Sequence, residues 1–321
     1  MKIYSTFKLN DDNIKKIGRL GGKIILFGTE KDLINCEDLA SADAIIANHR
    51  TLQVDFLEKC SSLKWIHCPH IGIERLPLSY LQKRKIIVTN GRGTAGVPIS
   101  EHIIFLMLAI ARKGSSIIRN QLNHVWKSNK GVFNLYGKTV GFLGTGDVAT
   151  ETAKRLRAFG MRILGLNTTG KASEYYDKVY ITKDINELLK QSDFIVCTLP
   201  PTKKTVNLID EEQFKCMKPT AYIINISRAV IFNEPVLYDY LKNKKIAGGA
   251  LDVFMDEFKL GYLPPESPFW DLDNLIITPH AAGGGDLWNE FSTNIVMHNL
   301  ECFCKNKIGD MLNIRDYTKG Y

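Results

Sequence analysis

The stretch Lys138–Asn167, KTVGFLGTGDVATETAKRLRAFGMRILGLN, decides the fold. Thr139–Leu143 is a short apolar run that enters a glycine turn, Gly144-Thr145-Gly146. The spacing predicts a helix from about Val148 to Phe159 and a second strand over Met161–Leu166. Such a strand–turn–helix–strand unit of about thirty residues is the setting in which G-x-G-x-x-G signals dinucleotide binding. Gly144 permits the tight turn, and Gly146 lets the backbone approach a pyrophosphate. The helix that opens at Asp147 and Val148 offers that anion N–H groups with no partner inside the helix. The third glycine position is Ala149, which suits a place that needs only a small side chain where helix meets sheet.

Working outward, 321 residues exceed one simple core and fit two domains. The hydrophobic share of 45% and charged share of 24% are those of an ordinary globular chain. The longest apolar run, Ile103–Ala111, is too short to span a bilayer and is flanked by Glu101, His102, Arg112 and Lys113, so it predicts a buried helix. The opening MKIYSTFKLNDD lacks the apolar core of a signal peptide, which predicts a cytoplasmic protein. The seven cysteines form no C-x-x-C pair, and Cys302 and Cys304 are too close for a comfortable bridge in a helix. Reduced thiols and no metal are expected. The formal net charge of +8 is spread along the chain, with only short clusters at Lys83-Arg84-Lys85 and Lys242–Lys245. Solvated surfaces account for it better than a nucleic-acid face, which would need a clustered stripe. A positive field also suits an anionic cofactor and substrate.

Before residue 100, apolar strands (Lys2–Phe7, Lys23–Phe27, Ala44–Ala47, Lys64–Cys68, Ile86–Thr89) alternate with helical patterns such as Asp11–Leu20 and Val54–Cys60. Pro98 then opens a nearly all-apolar helix, Ile99–Arg112, expected to be buried between lobes or against a second subunit. A polar segment, Lys113–Gly137, leads to the glycine unit. The second series continues through Lys178–Ile181, Phe194–Thr198, Ala221–Ile226, Gly248–Leu251 and Leu275–Thr278. Asp286 to about Cys304 reads as one amphipathic helix returning to the first lobe. The fold class is α/β, with two doubly wound parallel-sheet lobes. A Rossmann dinucleotide-binding domain (100–286) is inserted in a flavodoxin-like substrate lobe (1–99 with 287–321). Ligands are expected in the cleft beyond the carboxyl ends of the strands.

Three ionisable residues fall at such strand ends: Arg228 in INISRAV, Glu257 in ALDVFMDE and His280 in IITPH. Arg228 has the planar fork that binds a carboxylate through two parallel hydrogen bonds. His280 can exchange a proton with a substrate oxygen near neutral pH. Glu257 would orient that imidazole. Taken singly these are a surface arginine, a solvated acid and a strand-capping histidine. Together, beyond adjacent strands of a nucleotide domain, they favour catalysis.

From about Ile45 to Gly283 the chain resembles the D-isomer-specific 2-hydroxyacid dehydrogenases. The resemblance rests on the ordered blocks TNGRGTAGVPISEH, the glycine unit, TLPPTKKTVNLID, FKCMKPTAYIINISRAV, IAGGALDVF and SPFWDLDNLIITPHAAG. It implies reversible reduction of a small 2-keto acid to a D-2-hydroxy acid by NAD(P)H, with Arg228, Glu257 and His280 as the catalytic set. It implies that Asp252 contacts the nicotinamide carboxamide, that Ile226 and Ser227 line the nicotinamide pocket, and that Pro200 joins the cofactor site. Backbone amides at His70-Ile71-Gly72 would bind the substrate carboxylate. Similar enzymes are dimers through the region of helix Ile99–Arg112, which implies a homodimer. The chain departs from the usual pattern at Ala229, where glycine is common, at Asn233, where an acid is frequent, and at His70, where small residues are common. His70 would either reach the substrate or point to solvent. Proteins similar to this family also serve as nucleotide-sensing corepressor scaffolds with little turnover. The chain lacks the extended polar arm that such recruitment uses.

An acid about twenty positions past the glycine turn usually grips the ribose 2′-hydroxyl of NAD. Here Asn167 holds that place, followed by Thr168, Thr169, Gly170 and Lys171. The asparagine removes the charge that would repel a 2′-phosphate, and the two hydroxyls, the glycine N–H and the lysine are all donors. NADP(H) is favoured over NAD(H), although asparagine also serves a plain ribose. Arg50, in Asn48-His49-Arg50-Thr51, would overlook the far end of the substrate and pair with a second acidic group, or else lie solvated.

Overall fold

The computed structural model describes residues 1–73 and 75–317, so residues 318–321 of the tail assigned to the first lobe lie outside the described residues. The chain falls into two compact units. One holds Met1–Ala95 and the residues from Asp286 onward, and the other holds Gly96–Gly285.

The first unit is built on a five-stranded sheet of β1 (Lys2–Ser5), β2 (Lys23–Leu26), β3 (Ala44–Ile46), β4 (Trp65–Cys68) and β5 (Ile87–Asn90). Its order is β2-β1-β3-β4-β5 and every pairing is parallel, the flavodoxin-like arrangement. Both faces are covered, and β3 shows why the sequence reads as an unbroken apolar run. Ile45 enters a cluster with Leu33, Leu57 and Val88, while Ala44 and Ile46 enter another with Trp65, Val296, Leu300 and Phe303. The last three lie on helix Leu287–Cys304, so that helix does cover this sheet. It is less amphipathic than its sequence suggests, because Asn299 is fully buried on it. The Asn299 amide exchanges two hydrogen bonds with the backbone of Leu312, 2.7 and 3.1 Å long.

The second unit carries seven parallel strands, β6 (Thr139–Leu143), β7 (Arg162–Asn167), β8 (Lys178–Ile181), β9 (Phe194–Cys197), β10 (Tyr222–Asn225), β11 (Gly248–Leu251) and β12 (Leu275–Ile277). Their order is β12-β11-β10-β9-β6-β7-β8, so the direction of winding reverses between β6 and β9. In a doubly wound sheet a ligand binds beyond the carboxyl ends at this switch point. Helix Asp147–Leu156 follows the glycine turn, then tightens into a 3₁₀ turn over Arg157–Phe159. Helix Gly96–Ala111 packs on it through Ile103, Met107 and Ile110, which meet Ala149, Ala153 and Leu156. Ala149 is fully buried there, which is why that position tolerates nothing large.

Two expectations need correction. The apolar helix begins at Gly96, so Pro98 sits inside its first turn, where backbone N–H groups lack a helical partner anyway. Within its own unit Phe105 on that helix is left 57% exposed. The polar connector Lys113–Gly137 contains a further helix, Gly114–Leu122, none of whose residues is buried. Its few apolar residues, Ile117, Ile118 and Leu122, are exposed and stand among polar neighbours, so the segment reads as polar overall.

One buried group gives the first unit a pH dependence. His67, on β4, is fully buried, and its Nδ1 meets Thr89 Oγ1 at 2.8 Å while Trp65 Nε1 donates to the same hydroxyl at 2.9 Å. Among the described residues its Nε2 has no hydrogen-bond partner. Burial pushes its pKa down from 6.5 to about 3. The folded state therefore refuses a proton that the unfolded chain accepts below pH 6.5. This contribution is intact above that pH and is lost as pH falls, at up to about 1.4 kcal/mol per pH unit. Urea unfolding at pH 7 and pH 5 should show a larger stability loss in the native protein than in His67→Phe. Equal losses would show that protonation of His67 is tolerated.

Candidate active site

The glycine turn leaves β6 at the switch point. Gly144 adopts φ +103°, and a Cβ there would lie 2.8 Å from Thr198 Oγ1, so glycine is required. Gly146 caps helix Asp147–Leu156, and a Cβ on it would meet nothing within 4 Å. The turn is thus tight on one side and open on the other, with Asp147 and Val148 supplying the first helical amides. Thr145 is tied back, because its Oγ1 accepts from Asn167 Nδ2 at 3.0 Å. Pro200 lies in the loop leaving β9, next to β6, where its carbonyl accepts from Thr205 Oγ1 at 2.7 Å.

Asn167 ends β7 with its side chain fully engaged. Its Oδ1 accepts from the N–H groups of Thr169 (3.0 Å) and Gly170 (2.6 Å), which closes the loop on itself. The Gly170 N–H, expected as a donor to a 2′-phosphate, is therefore committed internally. The Thr169 hydroxyl likewise points to Asn167 Oδ1 at 3.3 Å. The exposed Thr168 and Lys171 side chains remain as outward donors.

Arg228, Glu257 and His280 follow β10, β11 and β12, three neighbours in the sheet whose last residues are in register. Their exits span about 10 Å at ordinary strand spacing. His280 Nδ1 and Glu257 Oε1 meet at 2.8 Å. Glu257 opens the short helix Glu257–Leu260, and its Oε2 accepts from Phe254 N–H at 3.1 Å. His280 adopts φ +50°, in the left-handed region, with its N–H donating to the Asp252 carbonyl at 3.0 Å. Such backbone strain in a residue other than glycine tends to gather at functional positions.

Asp252 explains how that strain is held. It is 1% exposed and follows β11 directly. Its Oδ1 accepts from the Thr278 hydroxyl at 2.5 Å and from Ala281 N–H at 2.9 Å, and its Oδ2 accepts from Ala282 N–H at 3.0 Å. The carboxylate expected to contact a nicotinamide carboxamide is turned into the loop that carries His280. His102, on helix Gly96–Ala111, extends the network, with Nε2 3.3 Å from Thr278 Oγ1 and 3.8 Å from Asp252 Oδ1. Desolvation lowers the pKa of His102, partly opposed by the Asp252 charge.

Arg228 is placed by Asn225, the last residue of β10. The Asn225 side chain accepts from Ser227 N–H (3.1 Å) and donates to the Arg228 carbonyl (3.1 Å). Ser227 and Ile226 are buried, and the Ser227 hydroxyl faces Asn225 and Cys197 Sγ. Both departures in this segment find a reason. Ala229 begins a 3₁₀ turn without positive φ, so glycine is not needed. Asn233 Nδ2 donates to Asp210 Oδ1 at 3.0 Å, where an acid would set two carboxylates together.

In the first unit, the turn after β4 presents Ile71 and Gly72, whose N–H groups donate to no acceptor among the described residues. The turn is braced from β5, with Asn90 Nδ2 donating to the Ile71 carbonyl at 2.7 Å and Gly91 N–H to the His70 carbonyl at 3.1 Å. A Cβ on Gly91 would lie 2.0 Å from the Pro69 carbonyl oxygen, so only glycine fits. His70 is exposed, stacks on Trp288 (centroids 6.0 Å apart), and has Asn48 Nδ2 3.1 Å from its Nε2. Desolvation and the Arg50 charge lower its pKa. Arg50 is exposed at the rim of the Asn48–Thr51 loop. Glu30 holds that loop, accepting from Asn48 N–H (3.2 Å) and from the Thr51 hydroxyl (2.5 Å).

Asn225, Thr278, Glu30 and Trp288 escaped the sequence reading. The first two had a signal, being short polar side chains at the last position of a strand or just past it. Glu30 and Trp288 are far in sequence from what they position. Among the described residues, no three His, Cys, Asp or Glu side chains gather so as to hold a metal ion, and no helix is long and apolar enough to cross a membrane.

Residues 104–282 match the sequence family described as D-isomer specific 2-hydroxyacid dehydrogenase, NAD binding domain. A D-3-phosphoglycerate dehydrogenase of Methanocaldococcus jannaschii is 32% identical over 314 residues, 97% of this chain but 59% of that protein, so the chain spans only part of that relative. A glyoxylate reductase of Pyrococcus furiosus is 30% identical over 296 residues, 88% of this chain and 85% of the relative. The solved structure of a D-isomer specific 2-hydroxyacid dehydrogenase family protein from Aeromonas salmonicida is similar with a TM-score of 0.82 and 27% identity, over 98% of either chain. With most of its length so matched, the chain belongs to the D-isomer-specific 2-hydroxyacid dehydrogenase family.

Proposed function

We propose that this protein is an NAD(P)-dependent enzyme that reversibly reduces a small 2-keto acid to the D-2-hydroxy acid. The observation that carries the reading is the 2.8 Å contact of Glu257 with His280, held at the strand ends of a nucleotide-binding sheet. The names of the relatives, glyoxylate reductase and D-3-phosphoglycerate dehydrogenase, support the substrate class.

The residues present fit a dinucleotide. The open face of Gly146 and the amides of Asp147 and Val148 suit a pyrophosphate, and Gly144 and Thr145 close the turn behind it. Thr168 and Thr169 follow the ribose position at Asn167, Pro200, Ile226 and Ser227 complete the cofactor set, and Asp252 supports it from behind by holding the loop after β12. When bound, a reduced nicotinamide supplies the hydride for the carbonyl carbon. The residues of this chain do the rest. In the nucleotide unit Arg228 binds the substrate and polarises its carbonyl, and in the first unit the amides of Ile71 and Gly72 are donors suited to a carboxylate. His280 delivers the proton to the developing alkoxide from Nε2, since Glu257 occupies Nδ1. His70 and Arg50 contact the rest of the substrate. With no acid at 167, NADP(H) is preferred over NAD(H), Thr168 and Lys171 being its donors. All seven cysteines being free suits the reducing cytoplasm.

The working form is a homodimer. Phe105, Ile117, Ile118, Leu122 and Trp126 are exposed on or just after helices Gly96–Ala111 and Gly114–Leu122, with Trp126 wholly in solvent. A cavity of about 260 Å³ lined by Leu108, Phe133, Tyr136 and Phe159 lies in the same part of the unit. Apolar exposure on this scale marks an interface, and a second copy is the occupant. Light scattering at micromolar concentration should give twice the chain mass of 36.2 kDa, and a monomer mass would refute the dimer.

Oxidation of NADPH and NADH should be followed against a panel of 2-keto acids. Turnover with at least one acid, faster with NADPH, is expected. His280→Ala should lower turnover by about two orders of magnitude or more while nucleotide binding persists. Near-normal turnover in that variant would remove His280 from the chemistry. Tight nucleotide binding without turnover on any acid would favour a nucleotide-sensing scaffold instead.

A further inference from the structure

One side chain ties the segment that carries Arg228 to the loop that carries Glu257. Glu234 is the first residue of helix Glu234–Lys242, and its Oε2 accepts from Met255 N–H at 3.1 Å. The preceding amide, Phe254 N–H, goes to Glu257 Oε2 at the same distance, 3.1 Å. Two consecutive amides thus each hold a carboxylate, one from the pair with His280 and one anchored on a helix.

That helix is a firm support. Asn233 N–H donates to the Ile209 carbonyl at 2.9 Å, Asn233 Nδ2 donates to Asp210 Oδ1, and Leu237, Tyr240 and Leu241 are buried in the core. The loop is pinned at its start, where Phe254 packs edge-on against Phe269 with centroids 5.4 Å apart. Beyond it Met255 is 46% exposed. Its backbone N–H is held by Glu234. The placement runs against the preference of an acid for water: burial, then the neighbouring Asp256 charge, push the Glu234 carboxyl above its usual range. A helix N-terminus offsets part of that penalty.

We infer that Glu234 is a positioning residue: by holding the Met255 N–H, it keeps Glu257 in register with the Arg228 segment, so that His280 is presented in its working orientation. The inference rests on the roles proposed above for Arg228, Glu257 and His280. A displacement of about 1 Å in a catalytic group lowers turnover by on the order of a hundredfold, so loss of this tether should be visible in kcat.

The test compares Glu234→Ala and Glu234→Gln with the native protein and with His280→Ala. Glu234→Ala should lower kcat by about tenfold or more while KM for the nucleotide changes less than about twofold. In the nucleotide-free protein, hydrogen exchange at the Met255 amide should speed up by a similar factor. Glu234→Gln keeps an oxygen acceptor and should restore most of kcat and the slow exchange. Native kcat in Glu234→Ala, or a Gln variant as impaired as the Ala variant, overturns the inference. So does a fall in kcat matched by equal losses in nucleotide affinity and melting temperature. If His280→Ala itself turns over normally, the proposed function fails. If His280→Ala is dead and Glu234→Ala is normal, only the role of Glu234 fails.

Discussion

A carboxylate removed from water costs several kcal/mol unless donors surround it, and the second unit is organised around one such group. Asp252 is buried and collects a hydroxyl and two amides from the loop after β12. The dependence runs both ways. The loop supplies the donors that make the buried charge tolerable, and the charge supplies the acceptors that keep the loop in one conformation. His280 rides on that loop, so the position of its imidazole is set by a group that sequence alone would assign to ligand contact.

The same device recurs along both sheets. Asn225 bridges Ser227 and Arg228, Asn167 folds the loop after β7 onto itself, and Glu30 fastens the Asn48–Thr51 loop. Each acceptor lies at or beyond the carboxyl end of a strand and takes backbone amides that the sheet can no longer pair. Loops fixed in this way act as extensions of the rigid sheet, which a site needs if its groups must hold to a fraction of an ångström.

The fold was legible because parallel strands buried on both faces leave unbroken apolar runs. Thr139–Leu143, Lys178–Ile181 and Gly248–Leu251 were placed to the residue, and most other strand ends within one or two. The glycine turn and the His280–Glu257 pairing were legible too, since position at a strand end is a local property. What stayed hidden was whatever depends on a distant partner. The helix Gly114–Leu122 buries no residue in its own unit, and its short apolar side is lost in a polar stretch. The inward aim of Asp252 follows from Ala281 and Ala282, some thirty residues on. The loss of Gly170 as an outward donor follows from an Asx turn, which a count of donor residues overlooks.

The left-handed backbone of His280 has an implication for engineering. A non-glycine residue in that region stores on the order of 1 kcal/mol or more, and glycine would relieve it. Replacement by glycine would release that torsion but forfeit the contact with Glu257, whose side chain is 11% exposed, together with the imidazole. Strain and chemistry meet here in a single torsion angle, so consensus or library design should keep codon 280 fixed.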